Sequence, residues 1–110
     1  MTENTPHILD ILAEVIAARA NETAQSSYTA HLLANAPELP ARKLVEEATE
    51  TLIEALSGNQ EKLAQESADL LYHLLVIWQA AGIKPDKIWQ ILENRQGLSG
   101  HDEKASRTQD

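Results

Sequence analysis

The sequence contains no cysteine, which excludes disulfide bonds and thiolate metal sites. It also lacks phenylalanine and has two tryptophans and two tyrosines, although 43% of its 110 residues are hydrophobic. The core must therefore be built mainly from leucine, isoleucine, valine and alanine. A chain of this length is expected to form one domain that buries roughly two-thirds of the surface exposed when it is unfolded.

Positive charge is also scarce. Nine Lys and Arg residues stand against 17 Asp and Glu residues, which gives a formal net charge of -8. Nucleic-acid backbones attract basic surfaces, so this balance argues against a nucleic-acid partner. A ligand that carries phosphate groups would need a cation between itself and so acidic a protein.

No long hydrophobic run or signal peptide is evident. Residues 1–10 include two acids and no Lys or Arg, so they lack the basic region of a signal peptide. The longest nearly uncharged apolar run, residues 70–83, contains His73 and Gln79 and is too short to span a bilayer. We therefore expect a soluble, cytoplasmic protein with no membrane partner.

The hydrophobic pattern predicts α-helices and no β-strands, because apolar residues recur at helical spacing and never alternate over the length of a strand. The first helix is expected to open with Thr5 as its N-cap and Pro6 at its first position. A polar loop over residues 21–25 follows. Ser26 or Ser27 can then cap a short second helix.

Proline and glycine mark the limits of the third helix. Pro37 and Pro40 are expected to break the chain, so that the helix covers residues 41–57. Gly58 follows as a residue that can adopt the left-handed conformation typical of helix ends.

Two more helices complete the prediction. Asn59 is expected to cap a fourth helix that runs to Gly82, and Pro85 to start a fifth that stops at Gly97. The fold class is therefore an all-α bundle of about five helices.

This bundle is expected to occupy residues 1–97 as a single domain, followed by a polar C-terminal tail over residues 98–110. Five helices in so short a chain leave wide apolar stripes. We therefore expect two copies to pair and complete the core.

Three glutamates crowd one face of the third predicted helix. Successive residues of an α-helix are turned by about 100°, so Glu46, Glu47 and Glu50 fall within an arc of about 100°. Their carboxylates can converge on one point. The same group is also typical of a solvated helix surface, on which Lys43 would pair with Glu47.

The fourth predicted helix favours a shared site. From residue 67 to residue 82 only Asp69 and His73 can carry charge, and a helix that is apolar nearly all round is expected to be buried. Glu66, Asp69 and His73 share one narrow stripe of this helix. A buried, unpaired carboxylate is costly, so the five acids of the two helices are expected to bind a cation.

Carboxylate ligands without thiolates select hard ions, so we expect Mg²⁺ or Mn²⁺ rather than Zn²⁺ or iron. Di-iron bundles need a Glu-x-x-His motif on each of two helices, and this sequence has no such pair. His73 is expected to be a hydrogen-bonded residue beside the site rather than a direct ligand.

The acids resemble the pattern Glu-Glu-x-x-Glu followed by Glu-x-x-Asp of the MazG-type all-α nucleoside triphosphate pyrophosphohydrolases. The resemblance implies five metal ligands, which are Glu46, Glu47, Glu50, Glu66 and Asp69. From about residue 8 to residue 107 the chain is also similar to one family of that type, the phosphoribosyl-ATP pyrophosphohydrolases. The stretches that carry this similarity include Ser27-Tyr28-Thr29-Ala30, Glu66-Ser67-Ala68-Asp69-Leu70-Leu71-Tyr72-His73, and Lys104-Ala105-Ser106-Arg107.

This resemblance implies hydrolysis of phosphoribosyl-ATP to phosphoribosyl-AMP and pyrophosphate, the second step of histidine biosynthesis, by a cytoplasmic homodimer. Mg²⁺ would clamp the triphosphate and lower the pKa of a bound water, and Glu47 or Glu50 would accept the proton of that water. The substrate contacts that we expect are Tyr28, Lys43, Arg95, Lys104 and Arg107.

Three positions depart from the family pattern. Val45 replaces a common glycine, and His31 and Leu39 replace common lysines, which removes positive charge that could meet phosphates. Two alternatives remain open. One is an enzyme of the same fold that hydrolyses other nucleoside triphosphates, and the other is a non-catalytic helical dimer that kept the fold.

Overall fold

The computed structural model describes residues 5–96, and these residues form five α-helices and no β-strand. The helices are α1 (Ile8–Arg19), α2 (Tyr28–Ala34), α3 (Glu38–Ser57), α4 (Gln60–Ala81) and α5 (Pro85–Arg95). The prediction of an all-α fold with five helices is confirmed. Gly97 and the tail predicted over residues 98–110 lie outside the described residues. Across residues 5–96, no helix combines the length and the hydropathy that crossing a bilayer requires.

A histidine cap starts α1 later than the sequence predicted. The Nδ1 atom of His7 accepts a hydrogen bond from the backbone amide of Leu9 at 3.1 Å, so His7 occupies the N-cap position. One of the unpaired amides of the first turn is thereby satisfied. Thr5 and Pro6, which were predicted to start the helix, lie before it.

α2 and α3 begin in different ways. The hydroxyl of Ser27, rather than that of Ser26, caps α2 by accepting a hydrogen bond from the amide of Ala30 at 3.2 Å. α3 begins three residues before its predicted start and includes Pro40 in its first turn. Proline is tolerated there because the amides of a first turn have no partner inside the helix.

A tight connection folds α3 and α4 into a hairpin. Gly58 ends α3 with a φ of 79°, the left-handed conformation that was predicted for it. The side chain of Asn59 then caps α4 by accepting a hydrogen bond from the amide of Lys62 at 3.0 Å. Because the connection is so short, the two helices pack antiparallel along their length.

The core lies on one side of this hairpin, where α1 and α2 pack against the second half of α4. Its buried side chains are Ile16, Leu32, Leu75 and Val76, surrounded by half-buried residues such as Leu12 and Trp78. The first half of α4 and the middle of α3 extend past this core. The predicted acids lie on that extension.

α4 is enclosed less completely than its composition predicted. Only His73, Leu75 and Val76 of α4 are buried, and the side chain of Leu71 is 43% exposed. The difference arises because the packing of α1, α2 and α3 against α4 leaves part of its surface exposed in a single copy.

Candidate metal centre

Three carboxylates from the hairpin meet between α3 and α4. One oxygen each of Glu47, Glu66 and Asp69 lies within 4.8 Å of the other two. Two opposite ligands of an octahedral Mg²⁺ ion are about 4.2 Å apart. Small rotations of the side chains are therefore enough to bring the three oxygens onto one ion. We call these three residues the acid cluster.

Two oxygens of the acid cluster are shut off from solvent. The Oε1 atoms of Glu47 and Glu66 are buried and have no hydrogen-bond partner among residues 5–96. A buried carboxylate oxygen without a donor is costly, and either a proton or a cation relieves that cost. Asp69, in contrast, is exposed, as are Glu46 and Glu50, so the expectation that the acids lie far from water was wrong for these three residues.

Neighbouring acids raise the pKa of Glu50 and of Glu66. The pKa of Glu50 lies above its ordinary value of 4.5, first because its protonated carboxyl can donate a hydrogen bond to Glu66, and then because the two charges repel. The pKa of Glu66 is raised chiefly because its own protonated carboxyl can donate to Glu47. Protons shared between Glu50, Glu66 and Glu47 can thus reduce the repulsion that a bound divalent cation would also reduce.

Glu50 and Glu46 lie beside the acid cluster rather than in it. Glu50 is exposed, and its neighbour Glu66 raises its pKa. Glu46 is exposed and pairs with Lys43, whose Nζ atom lies 3.5 Å from Oε1 of Glu46. The alternative of a solvated surface had paired Lys43 with Glu47. Because Lys43 turns to Glu46 instead, it leaves the carboxylate of Glu47 to the acid cluster.

His73 is buried beside the acid cluster and uses both of its ring nitrogens. Its Nδ1 atom lies 2.8 Å from the backbone oxygen of Asp69, and its Nε2 atom lies 3.4 Å from the hydroxyl of Tyr28. Its side chain was predicted to be hydrogen-bonded, and it is. Tyr28, predicted as a substrate contact, lies at the start of α2 with its ring 52% exposed.

Sequence reasoning missed a second contact between α2 and α4. The hydroxyls of Thr29 and Tyr72 are 2.6 Å apart, and the rings of Tyr28 and Tyr72 stack with centroids 6.3 Å apart. Burial raises the pKa of Tyr72, although the hydrogen bond with Thr29 opposes the shift. The one signal in the sequence was a tyrosine directly before His73 in an otherwise aliphatic stretch.

The other predicted substrate contacts lie elsewhere or outside the described residues. Arg95 is in the last turn of α5, a helix held in place by Trp89, whose Nε1 donates to Oδ1 of Asp10 at 2.9 Å. The described contacts of the acid cluster come from α3 and α4. Lys104 and Arg107 lie outside the described residues.

A cavity of about 480 Å³ lies between α1 and the turn from α4 to α5, and its lining includes Asp10, Trp78 and Ile83. No member of the acid cluster lines it. Because Glu47 and Glu66 are half-buried and Asp69 is exposed, the acid cluster lies at the surface of the hairpin. A substrate bound there by one copy would be covered on one side only.

The arrangement suits a divalent cation bound through oxygen. Three acidic oxygens converge, Glu47 and Glu66 each have a buried oxygen without a partner among the described residues, and the neighbouring Glu50 adds a fourth carboxylate. Such a cation would neutralise the charge of the acids and leave coordination positions for phosphate oxygens.

Comparison with known proteins gives a consistent result. Residues 9–96 match the family described as phosphoribosyl-ATP pyrophosphohydrolase. A protein named phosphoribosyl-ATP pyrophosphatase from Erythrobacter litoralis is 52% identical over 101 residues, which cover 90% of this chain and 95% of the relative. One of the same name from Paramagnetospirillum magneticum is 49% identical over 100 residues, which cover 91% and 92% of the two chains.

A third relative of that name, from Granulibacter bethesdensis, is 47% identical over 105 residues, which cover 96% of this chain and 66% of the relative. The chain thus spans just under two-thirds of this longer relative. It spans nearly the whole length of the other two.

Proposed function

Because the chain belongs to the phosphoribosyl-ATP pyrophosphohydrolase family, we propose that it hydrolyses phosphoribosyl-ATP to phosphoribosyl-AMP and pyrophosphate, the second step of histidine biosynthesis. In this reaction water adds to phosphorus, the bond between the α- and β-phosphates breaks, and pyrophosphate leaves. The observation that carries the proposal is the convergence of Glu47, Glu66 and Asp69 between α3 and α4.

The acid cluster would hold Mg²⁺, and Mn²⁺ would be able to replace it. The donors are all carboxylates, which suit hard cations, and the unpartnered Oε1 atoms of Glu47 and Glu66 lack a positive charge to face. A bound Mg²⁺ supplies Lewis acidity toward the triphosphate and lowers the pKa of a bound water. Glu46 and Glu50 complete the predicted set of five acids.

Glu50 is the carboxylate that we assign to accept the proton of the attacking water. The sequence left this role open between Glu47 and Glu50. Glu47 has a ligand oxygen in the acid cluster, whereas Glu50 lies beside the cluster and touches it through Glu66. A base must lie within hydrogen-bond reach of the water and be less committed to the cation than the ligands are, and Glu50, which supplies no oxygen to the acid cluster, is the better candidate of the two.

Positive side chains would bind the phosphates that face away from the acids. Lys43 lies one turn before Glu47 and forms an exposed ion pair with Glu46. An exposed ion pair contributes little free energy, so Lys43 can exchange Glu46 for a phosphate at little cost. Arg95, Lys104 and Arg107 are proposed as further contacts, with the two residues of the tail folding over the nucleotide. Tyr28 is proposed as a further contact, since its ring is exposed and its hydroxyl lies beside His73 of α4.

A second copy of the chain is proposed to complete both the core and the site. Only seven of the described residues are buried, while large apolar side chains such as Val45, Leu52 and Leu56 are exposed along α3. The open acid cluster also needs further walls to enclose a nucleotide. We place this homodimer in the cytoplasm, where the absence of cysteine fits a reducing environment.

The decisive experiment measures pyrophosphate release from phosphoribosyl-ATP beside ATP, dATP and GTP, with Mg²⁺ present and after chelation. We expect kcat/KM for phosphoribosyl-ATP to exceed that for the other nucleotides by about 100-fold, because hydrogen bonds to a substrate group discriminate strongly against analogues that lack it. Chelation should abolish release.

A thermal melt of the same preparation separates the alternatives. Mg²⁺ at about 100 times its Kd should stabilise the protein by about 2.7 kcal/mol. Comparable turnover of all four nucleotides would indicate a broader pyrophosphohydrolase. If Mg²⁺ neither raised the Tm nor supported hydrolysis, the chain would be a non-catalytic helical protein.

A further inference from the structure

We propose that Tyr28 and His73 are positioning residues that fix the turn of α4 carrying Asp69 to α2. This inference rests on the proposed function, because it matters only if Asp69 helps to hold the cation. Two hydrogen bonds carry it, from His73 Nδ1 to the backbone oxygen of Asp69 at 2.8 Å and between the Tyr28 hydroxyl and His73 Nε2 at 3.4 Å.

The chemistry of the partners sets the direction of both hydrogen bonds. A backbone carbonyl only accepts, so Nδ1 of His73 must carry the hydrogen. In the neutral ring Nε2 is then the acceptor, and the hydroxyl of Tyr28 must donate to it. The ring of His73 is 5% exposed, so water has little access to compete for either nitrogen.

Asp69 depends on its backbone for its position. Its side chain is exposed and makes no hydrogen bond with any other residue in the range 5–96, unlike a carboxylate held by a donor. The carbonyl of Asp69 is, in contrast, bonded by His73, and His73 is bonded by Tyr28. Loss of the Tyr28 hydroxyl would remove one of the two hydrogen bonds that orient the imidazole and would thereby loosen the turn from which Asp69 projects.

A second hydrogen bond crosses between the same two helices and provides a matched control. Thr29 directly follows Tyr28 in the sequence, and Tyr72 directly precedes His73. The hydroxyls of Thr29 and Tyr72 are 2.6 Å apart. This contact does not lead to Asp69. Removal of either tyrosine hydroxyl therefore weakens the contact between α2 and α4, but only removal of the Tyr28 hydroxyl takes a hydrogen bond away from His73.

The test compares Tyr28→Phe with Tyr72→Phe. Each variant keeps its ring and loses one hydroxyl. Mn²⁺ binding to the free protein is measured by calorimetry, stability by urea unfolding, and kcat and KM by pyrophosphate release. We expect Tyr28→Phe to weaken Mn²⁺ binding by about 10-fold and to lower kcat more than it raises KM, as losses behind a metal ligand do. Tyr72→Phe should lose stability and keep its Mn²⁺ affinity.

Histidine ¹⁵N spectroscopy supplies a readout that does not depend on activity. The wild-type protein should show His73 as the Nδ1–H tautomer. Tyr28→Phe should change the Nε2 signal of His73, and Tyr72→Phe should leave it in place. A wild-type His73 with its hydrogen on Nε2 would overturn the proposed direction of both bonds.

A conservative variant at His73 adds a rescue test. Asparagine can donate from its amide toward the carbonyl of Asp69 but has no atom at the position of Nε2. His73→Asn should therefore bind Mn²⁺ more tightly than His73→Leu, and adding Tyr28→Phe to His73→Asn should cause no further loss. Additive losses would show that Tyr28 acts independently of His73.

Asp69→Asn distinguishes the failure of this inference from the failure of the proposed function. If Asp69→Asn leaves Mn²⁺ binding unchanged, then Asp69 holds no cation and the proposed site is wrong. If Asp69→Asn weakens binding while Tyr28→Phe and Tyr72→Phe behave alike, the site stands and only the positioning role is refuted.

Discussion

Glu47, Glu66 and Asp69 lie closer together than solvated carboxylates would if they were free to separate. The raised pKa of Glu66 and of its neighbour Glu50 reports the resulting repulsion and hydrogen-bond competition. The folded chain therefore carries an unfavourable electrostatic contribution in the absence of a cation. Binding of a divalent ion would remove that contribution and stabilise the fold.

Neutral isosteres should separate activity from stability. Glu47→Gln and Asp69→Asn keep the shape of the side chain and remove one charge from the acid cluster. We expect turnover of phosphoribosyl-ATP to fall by about 100-fold or more, because several kcal/mol of charge stabilisation is lost. The metal-free variants should stay folded and melt at or above the wild-type temperature.

Glu61→Gln is the matched control for these variants. It removes one negative charge from α4 at an exposed position that contacts Gln65 rather than the acid cluster. Its turnover should equal that of the wild type. Wild-type turnover in Glu47→Gln or Asp69→Asn as well would refute the assigned site.

The raised pKa of Glu50 and Glu66 predicts a pH dependence in the metal-free protein. Between the ordinary value of 4.5 and the raised pKa, the folded state holds protons that the unfolded chain has released. The free energy of unfolding therefore decreases as the pH rises through this window. Glu50→Gln should melt above the wild type at pH 7, and the difference should shrink as the pH falls through the raised pKa.

Melting curves without metal, recorded from pH 7 down to about pH 4.5, check this expectation. Glu61→Gln again corrects for the general loss of one charge. A difference between Glu50→Gln and wild type that stays constant over the range would show that the pKa of Glu50 is not raised.

The sequence predicted a group of neighbouring acids but not which of them converge and which lie beside the acid cluster. Helical periodicity predicted that five acids lie on the facing sides of two helices, and the structure brings three of them together. It did not show that Lys43 would turn to Glu46, because that choice depends on side-chain rotamers. The hydrogen bond between Tyr28 and His73 joins residues 45 positions apart in the sequence, and a local sequence pattern does not predict such a contact.

The hairpin of α3 and α4 sets the register of the acid cluster. Glu47 lies on one helix and Glu66 and Asp69 lie on the other, so the length and geometry of the connection decide whether they meet. Gly58 supplies the left-handed residue that ends α3, and the side chain of Asn59 starts α4 directly afterwards. A change in this connection would displace one set of acids relative to the other.

Gly58→Ala should lower the free energy of unfolding by about 1 kcal/mol, because alanine is strained in the left-handed conformation. The space around residue 58 is open, with no atom within 4 Å of an added Cβ, so the conformation alone sets the cost. Urea unfolding at a fixed protein concentration measures the change. Gly58→Asn is the control and should lose less, since asparagine tolerates this conformation; equal losses would point to a different cause.

Several helix limits were predicted correctly from signals that act within a single turn. Ser27, Gly58, Asn59 and Pro85 all act within their own turn, and the structure confirms each of them. The start of α1 was wrong because His7 rather than Thr5 caps the helix, and the start of α3 was wrong because Pro40 lies inside the first turn instead of before it. The burial of α4 was overestimated, since composition does not reveal how many neighbours a helix has within one chain.

The tail after residue 97 lies outside the described residues, but its proposed role can be tested on the whole enzyme. A chain truncated after Gly97 should keep its helical content, because the five helices end before that point. KM for phosphoribosyl-ATP should rise by on the order of 10-fold, from the loss of charge-assisted hydrogen bonds. Lys104→Ala and Arg107→Ala in the full chain should reproduce part of the rise, and an unchanged KM would dismiss the role.

One copy of the chain exposes an apolar stripe that the proposed dimer would cover. At about 100° per residue, Val45, Leu52 and Leu56 fall within an arc of about 40° on α3, turned away from the side that faces α4. Leu56 is 80% exposed. Apolar side chains in such a row are typical of a helix that packs against another helix, and the acids begin on the neighbouring face.

Leu52→Glu combined with Leu56→Glu should therefore convert a dimer into a monomer, because two buried charges would face their symmetry mates without partners. Sedimentation at micromolar concentration measures the mass, and pyrophosphate release measures the consequence for the site. Leu92→Glu changes an apolar residue of α5 that is also about half exposed, and it should leave the dimer intact. Because the acid cluster is open in one copy, we expect the monomeric variant to lose turnover while its Mn²⁺ binding falls less. A wild-type protein that sediments as a fully active monomer would show that one copy is sufficient.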